Sequence, residues 1–394
     1  MKPIENQMKH HESHEKPDEN EIASRLRRLR DAMSNRGLGA CVLADPANIL
    51  WLTNFANIVH ERPFVLVVLQ EGDPVFVVPR LELDHVESRA IGQIRCAPYR
   101  EFPAPAGQQW SDVLLEILIS AEGSVGIEPT MPNMVANIVG STAVTTSIVE
   151  EVRAVKSAYE CARIRYACRQ ISQAHAEFLS MMRDGLSQTE VNATVGKSLF
   201  SRLVADDPNI NPYATKIHTL FQNALASHDP HNFSDLDMTA RLGGPHVSVF
   251  NAVLNGYGAE IERTFFLGFL PDNAKKPFEI MMEARALAFE LTKPGEKMSD
   301  VDRAVSALFV KAGYEDNWRH RTGHGMGVTA HEGPFLADGD DGVIVPGMVF
   351  TIEPGLYLPG IGGFRHSDTV LITNNGLECL TQAPEALDDL VLGT

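Results

Sequence analysis

The residues able to do chemistry are acids and histidines gathered between positions 228 and 368. The segment Asn255–Gly268 carries Glu260, Glu262 and Thr264 in alternation. As a strand, it sets successive same-face side chains about 6.6–6.8 Å apart. Paired glutamates usually sit on a solvated strand face, but Val247–Leu254 and Phe265–Leu267 on either side are apolar, which points to a central strand. Two buried glutamates on one face require a counter-charge, from a metal or a cationic ligand, unless one stays protonated. Gly323-His324-Gly325-Met326-Gly327 runs on to His331-Glu332-Gly333-Pro334. Its glycines let backbone approach a ligand closely, and His324 and His331 offer ligand, acid or base groups. A lone histidine is more often structural; two in one glycine-rich stretch favour function. Thr351-Ile352-Glu353-Pro354-Gly355 ends an apolar strand in a carboxylate, and Phe364–Thr369 presents Arg365 and His366 ahead of the strand Val370–Thr373. His228-Asp229-Pro230-His231-Asn232 reads as a loop, suited to a mobile catalytic histidine.

Other chemistries are excluded. There is no GxxxxGK[ST] phosphate loop, no GxSxG elbow, no HExxH and no cysteine framework for zinc, and the Gly323–Gly327 run lacks GxGxxG spacing. Lys and Arg number 34 against 51 Asp and Glu, a net charge of −17 that repels nucleic acid and anionic membranes. No apolar run approaches the roughly 18–20 residues a bilayer helix needs. Five scattered cysteines without a CxxC pair, with no signal-peptide or lipidation pattern, lead to a reduced, cytoplasmic setting as the expectation.

At 394 residues, 44% hydrophobic and 22% charged, the chain suits two globular domains. Residues 1–20, with His10, His11 and His14, read as a disordered, solvated tail. Ile22, Leu26, Leu29 and Met33 recur on one face of a helix that Gly37 stops. Phe64–Leu69 and Val75–Val78 form a hairpin pattern within an α/β unit over residues 21–155. A second unit, 156–394, opens with a long helix from about Ala158, followed by helices near 188–204, 275–293 and 299–312 and by strands from about residue 247.

The order of the chemical motifs resembles the pita-bread family of prolidase, Xaa-Pro aminopeptidase, methionine aminopeptidase and creatinase. The matching features are a histidine loop, Glu260–Thr264 ending in E-R-T, Gly323–Pro334, Glu353-Pro354-Gly355 and Gly362–Thr369. Upstream, Asp45–Thr53 and Glu61-Arg62-Pro63-Phe64 resemble the N-terminal domain of the prolidase–creatinase branch. The resemblance implies a creatinase-type α/β domain, a C-terminal pita-bread α+β domain with a curved antiparallel sheet, and a homodimer. Its metallopeptidases hold two metal ions on two Asp, one His and two Glu. Those positions fall here on Val249, Glu260, His324, Glu353 and Ser367, so two of the four carboxylate positions lack a carboxylate. One ion on Glu260, His324 and Glu353, helped by His366, is the reduced version.

The expectation is therefore a creatinase-like hydrolase cleaving a C–N bond in a small cationic substrate of guanidinium or amidine type, without a dinuclear centre or other cofactor. By resemblance, His231, Glu262, Glu353, His324 and His331 are the catalytic set. Glu260, Arg365 and His366 contact substrate, and Arg62 binds its anionic end across the dimer. The alternatives are a divergent metal-dependent Xaa-Pro dipeptidase or aminopeptidase, and an inactive pita-bread binding protein.

Overall fold

The computed structural model describes residues 13–233 and 235–393, so His10 and His11 lie outside the described residues. Two compact units divide between Arg153 and Ala154; the second also takes in Ser13 and His14. The expected tail overlaps structure at its end. Helix α1 (Glu19–Asn35) starts inside it, because the Asp18 carboxylate accepts the Glu21 N–H and caps the first turn. His14 packs its ring on Tyr166. Among the described residues, no helix is long and apolar enough to cross a membrane.

The N-terminal unit is a mixed sheet in the order β4-β3-β2-β1-β5-β6. Its strands are β1 (Leu38–Leu43), β2 (Val65–Leu69), β3 (Val75–Pro79), β4 (Arg95–Tyr99), β5 (Ser124–Ile127) and β6 (Val144–Thr145). The hairpin expected from two valine-rich runs is the antiparallel pair β2–β3. Asp45 caps the helix that follows β1, α2 (Pro46–Thr53), with Pro46 at its first position.

The C-terminal unit opens on α3 (Ala158–Met181), started by a capping box between Ser157 and Glu160. Its sheet runs β11-β10-β12-β15-β9-β8-β7. These strands are β7 (Lys216–Gln222), β8 (Gly243–Leu254), β9 (Tyr257–Leu267), β10 (Gly323–Gly325), β11 (Glu332–Leu336), β12 (Val349–Ile352) and, beyond the hairpin β13 (Gly355–Leu358) and β14 (Gly362–Arg365), β15 (Ser367–Thr373). The long helices α4 (Lys275–Leu291) and α5 (Met298–Lys311) match the expected spans. Every residue of β9 is buried, so the glutamate-bearing strand is central rather than solvated.

The register of β8 against β9 is set by Asn255 and Gly256, with φ of 51° and 90°. Two left-handed residues between the paired Leu254 and Tyr257 make a two-residue hairpin turn, for which Asn-Gly is the preferred sequence. That turn places Asn251 beside Glu260 and Val249 beside Glu262. A slip of one residue would send each of them to the opposite face.

Two buried histidines pack behind this sheet. His246 is held down to about 4 by burial, against one hydrogen bond from its Nε2 to the Arg241 carbonyl. His175 is held down to about 3 by burial and by Arg263. Both are neutral when folded and take up a proton on unfolding below about pH 6.5. Their contribution is complete above that pH and drains away as pH falls towards the folded values. At pH 5 the loss is about 2 kcal/mol per residue. Urea midpoints at pH 7.5 and pH 5 check this: His246→Leu should narrow the gap between them, and an unchanged gap contradicts the assignment.

Candidate active site

Three neighbouring strands bring the site together. Glu262 on β9 is flanked in register by Val249 of β8 and Ser367 of β15. Two residues away, on the same face, Glu260 accepts from Asn251 Nδ2 at 2.9 Å and from Ser367 Oγ at 2.8 Å. Glu353, just beyond β12, completes a cluster in which Glu260, Glu262 and Glu353 each offer an oxygen within 4.8 Å of the others. All three are buried.

Glu262 already has its cation. Arg365, at the end of β14, donates from Nη2 to Glu262 Oε1 at 2.8 Å and sets Nε against Oε2. Its Nη1 donates to the Tyr357 hydroxyl at 3.0 Å, and that hydroxyl lies 2.6 Å from His320 Nε2. His320 Nδ1 donates to the Arg321 carbonyl, so in the neutral ring that burial favours, Nε2 accepts the phenol proton. Burial, reinforced by Glu260 and Glu353, raises the proton affinity of Glu262. The ion pair nevertheless requires its carboxylate form, because a protonated acid would leave a guanidinium buried without a counter-charge.

His324 has a different setting. Its Nδ1 donates to the Gly325 carbonyl at 3.0 Å, which turns Nε2 inward, 3.2 Å from Glu353 Oε1 and 3.9 Å from Glu260 Oε2. Nε2 is buried yet off the line of any hydrogen bond. Burial opposes its charged form, but pairing with Glu353 and the field of Glu260 outweigh it and raise His324 to about 9. Burial likewise opposes the charge on Glu353, but His324 holds that carboxyl well below the usual range. Glu260 is raised by burial and then by Glu353. With His324 protonated, the five groups leave one negative charge unmatched. His331 stacks on His324 with ring centroids 3.8 Å apart; it is half-exposed and lowered to about 4 by burial and by His324.

The glycines of this loop make room for its anchor. A Cβ on Gly327 would stand 2.2 Å from Glu332 Oε1, and one on Gly325 would stand 2.7 Å from the Glu332 carbonyl. Glu332 in turn is held by Lys156 Nζ at 3.0 Å in a buried ion pair.

His231 sits in its expected loop, exposed, and close enough for its charge to act on His320 and His331. Gln222 pins the loop by donating to the Asp229 and Asn232 carbonyls. His366 is not brought to the pocket. It falls between Arg365 and Ser367, whose side chains face the site, and its ring is fully buried against Phe278 with Arg263 and Arg285 nearby. Arg62 belongs to the N-terminal unit, where it pairs with Glu61 and Glu101. Asn251, Gln222, His320 and Tyr357 are site residues that motif reading passed over. Asn251 carried a signal, since it lies two residues beyond Val249 on an apolar strand.

The family model described as metallopeptidase family M24 matches residues 162–374, more than half of the chain. The chain belongs to metallopeptidase family M24. Residues 25–155 match the creatinase/prolidase N-terminal domain. Over 369 residues the chain is 26% identical to a putative dipeptidase, YkvY, of Bacillus subtilis, covering 92% of this chain and 99% of that one. It is 27% identical over 379 residues to a probable dipeptidase, PepE, of Mycobacterium bovis, covering 93% and 96%. The structure of the prolidase from Pyrococcus furiosus superposes with a TM-score of 0.76 at 26% identity, covering 90% of this chain and 99% of that one. The M24 assignment makes the protein a hydrolase acting on C–N bonds, with the expected two-domain creatinase–pita-bread architecture.

Two expectations drawn from the resemblance are not supported by the geometry. The two-ion site does not fit: Val249 offers no donor, the Ser367 hydroxyl is spent on Glu260, and Glu262 is bound by Arg365. The guanidinium-substrate reading also loses support, because an internal guanidinium occupies Glu262. Glu262→Ala should therefore cost about 3–5 kcal/mol by stranding Arg365. Glu262→Met combined with Arg365→Met should recover most of it in urea denaturation; equal losses in both variants would show that the pair does not carry the effect.

Proposed function

We propose that the protein hydrolyses the amide bond of a small amino-acid-derived substrate, in the manner of a dipeptidase. One observation carries this reading. Of three converging carboxylates, Glu262 is closed off by Arg365, while Glu260 and Glu353 stay turned towards His324 and the half-exposed His331. A guanidinium or amidine substrate would have to displace Arg365, whereas a small amide needs only the Glu260, Glu353 and histidine side of the pocket. The names of the M24 relatives that match over nearly the whole chain support the same choice.

The chain's own groups divide the work. Asn251 and Ser367 hold Glu260 in one orientation, and Thr351 Oγ1, 3.3 Å from Glu353 Oε1, steadies Glu353. A divalent ion on Glu260, His324 and Glu353 would supply the Lewis acid that polarises a scissile carbonyl. His331, neutral at physiological pH, and His231, on its pinned loop, move protons at the pocket mouth. Arg62 receives the substrate's anionic end, across a homodimer as the resemblance implies.

The test is turnover of a dipeptide panel, Xaa-Pro members included, beside guanidinium and amidine compounds. Dipeptides should be cleaved. His331→Ala and His231→Ala should each lower kcat about 10²–10⁴-fold with little change in KM, and Arg62→Ala should act mainly on KM. Cleavage of guanidinium compounds with no dipeptide turnover would sink the proposal.

A further inference from the structure

We propose that this pocket binds a single divalent ion, on Glu260, His324 and Glu353, and that the Arg365–Glu262 pair stands where the family's second ion would. The inference deepens the functional reading, since it concerns the same pocket, but it is measured without substrate.

Three observations converge. The first is His324 Nε2, which is buried, makes no hydrogen bond and is aimed between Glu260 Oε2 and Glu353 Oε1. The Gly325 carbonyl takes the other ring nitrogen's proton, the arrangement that fixes a histidine as a metal ligand. Its separations of 3.2 and 3.9 Å from the two oxygens suit donors about 2.0–2.2 Å from a shared ion.

The second is the row Val249–Glu262–Ser367 across β8, β9 and β15. The two positions lacking a carboxylate are the two that flank Glu262, and of these only Ser367 also reaches Glu260, as a hydroxyl donor. At Glu262 the positive charge is covalent: Arg365 is fixed by both Glu262 oxygens and by Tyr357.

The third is charge balance. With His324 neutral, as a ligand to an ion through Nε2 must be, three carboxylates against one guanidinium leave two negative charges, which one divalent ion cancels. Two ions would leave a buried excess of two positive charges.

The experiment is a titration of chelator-stripped protein with Mn²⁺ alone, following free Mn²⁺ by electron paramagnetic resonance and the heat by calorimetry. One equivalent per chain, with an uncoupled Mn²⁺ spectrum, is the expected result. Glu260→Gln should weaken it by at least about 100-fold. The pair Val249→Asp and Ser367→Glu, made with Arg365→Met, should gain a second equivalent. Two equivalents in the unaltered protein, a spin-coupled spectrum, or no binding at millimolar Mn²⁺ overturns the inference. If the triple variant fails to fold, the stoichiometry of the unaltered protein and the Glu260→Gln effect decide alone. One bound equivalent without dipeptide turnover leaves this inference standing and removes the functional proposal; turnover with two equivalents does the reverse.

Discussion

A guanidinium buried against a carboxylate in the middle of the sheet governs the rest of the site. Neither Arg365 nor Glu262 can be buried alone, because the uncompensated charge would have no water to screen it. Their contact ties the end of β14 to β9, and Tyr357 and His320 extend it along the pocket wall. By using up one acid, the pair decides which others face a ligand. Glu260 and Glu353 are left with His324, which is charged in their presence and inward-facing because Gly325 takes its other nitrogen.

Much of this was legible in the sequence. The apolar flanks of Glu260 and Glu262 announced a buried strand, and burial of a glutamate pair demanded a cation. What could not be read was that the cation is a side chain 103 residues away. Nothing local to Arg365 distinguishes a residue awaiting a substrate from one already paired, and that uncertainty led to a guanidinium substrate. His366 failed for a simpler reason. Its neighbours on both sides point inward, and strand alternation sends it out to Phe278.

Residues outside the motifs were less accessible still. Gln222 holds the His231 loop through carbonyls, a role that any donor side chain of suitable reach could fill. Lys156 supports the histidine loop from a position 176 residues earlier in the chain. The glycines of that loop read as room for a ligand, yet Gly325 and Gly327 are pressed by Glu332 of the protein itself. Local patterns located the elements well because capping, alternation and turn chemistry act over a few residues. The site is built from pairings that span a hundred or more.

That span bears on how the protein is made. The N-terminal unit, Glu15–Arg153, holds its sheet within one continuous stretch, so it can fold as the ribosome delivers it. The catalytic unit cannot. Its acidic strand emerges a hundred residues ahead of the arginine that neutralises it, and Lys156 waits longer for Glu332. Until Arg365 is synthesised, β9 can be buried only with its glutamates protonated, which opposes closure of the nascent unit. Hydrolytic capacity thus arrives only after residue 365, because the acidic strand precedes its cation in the chain.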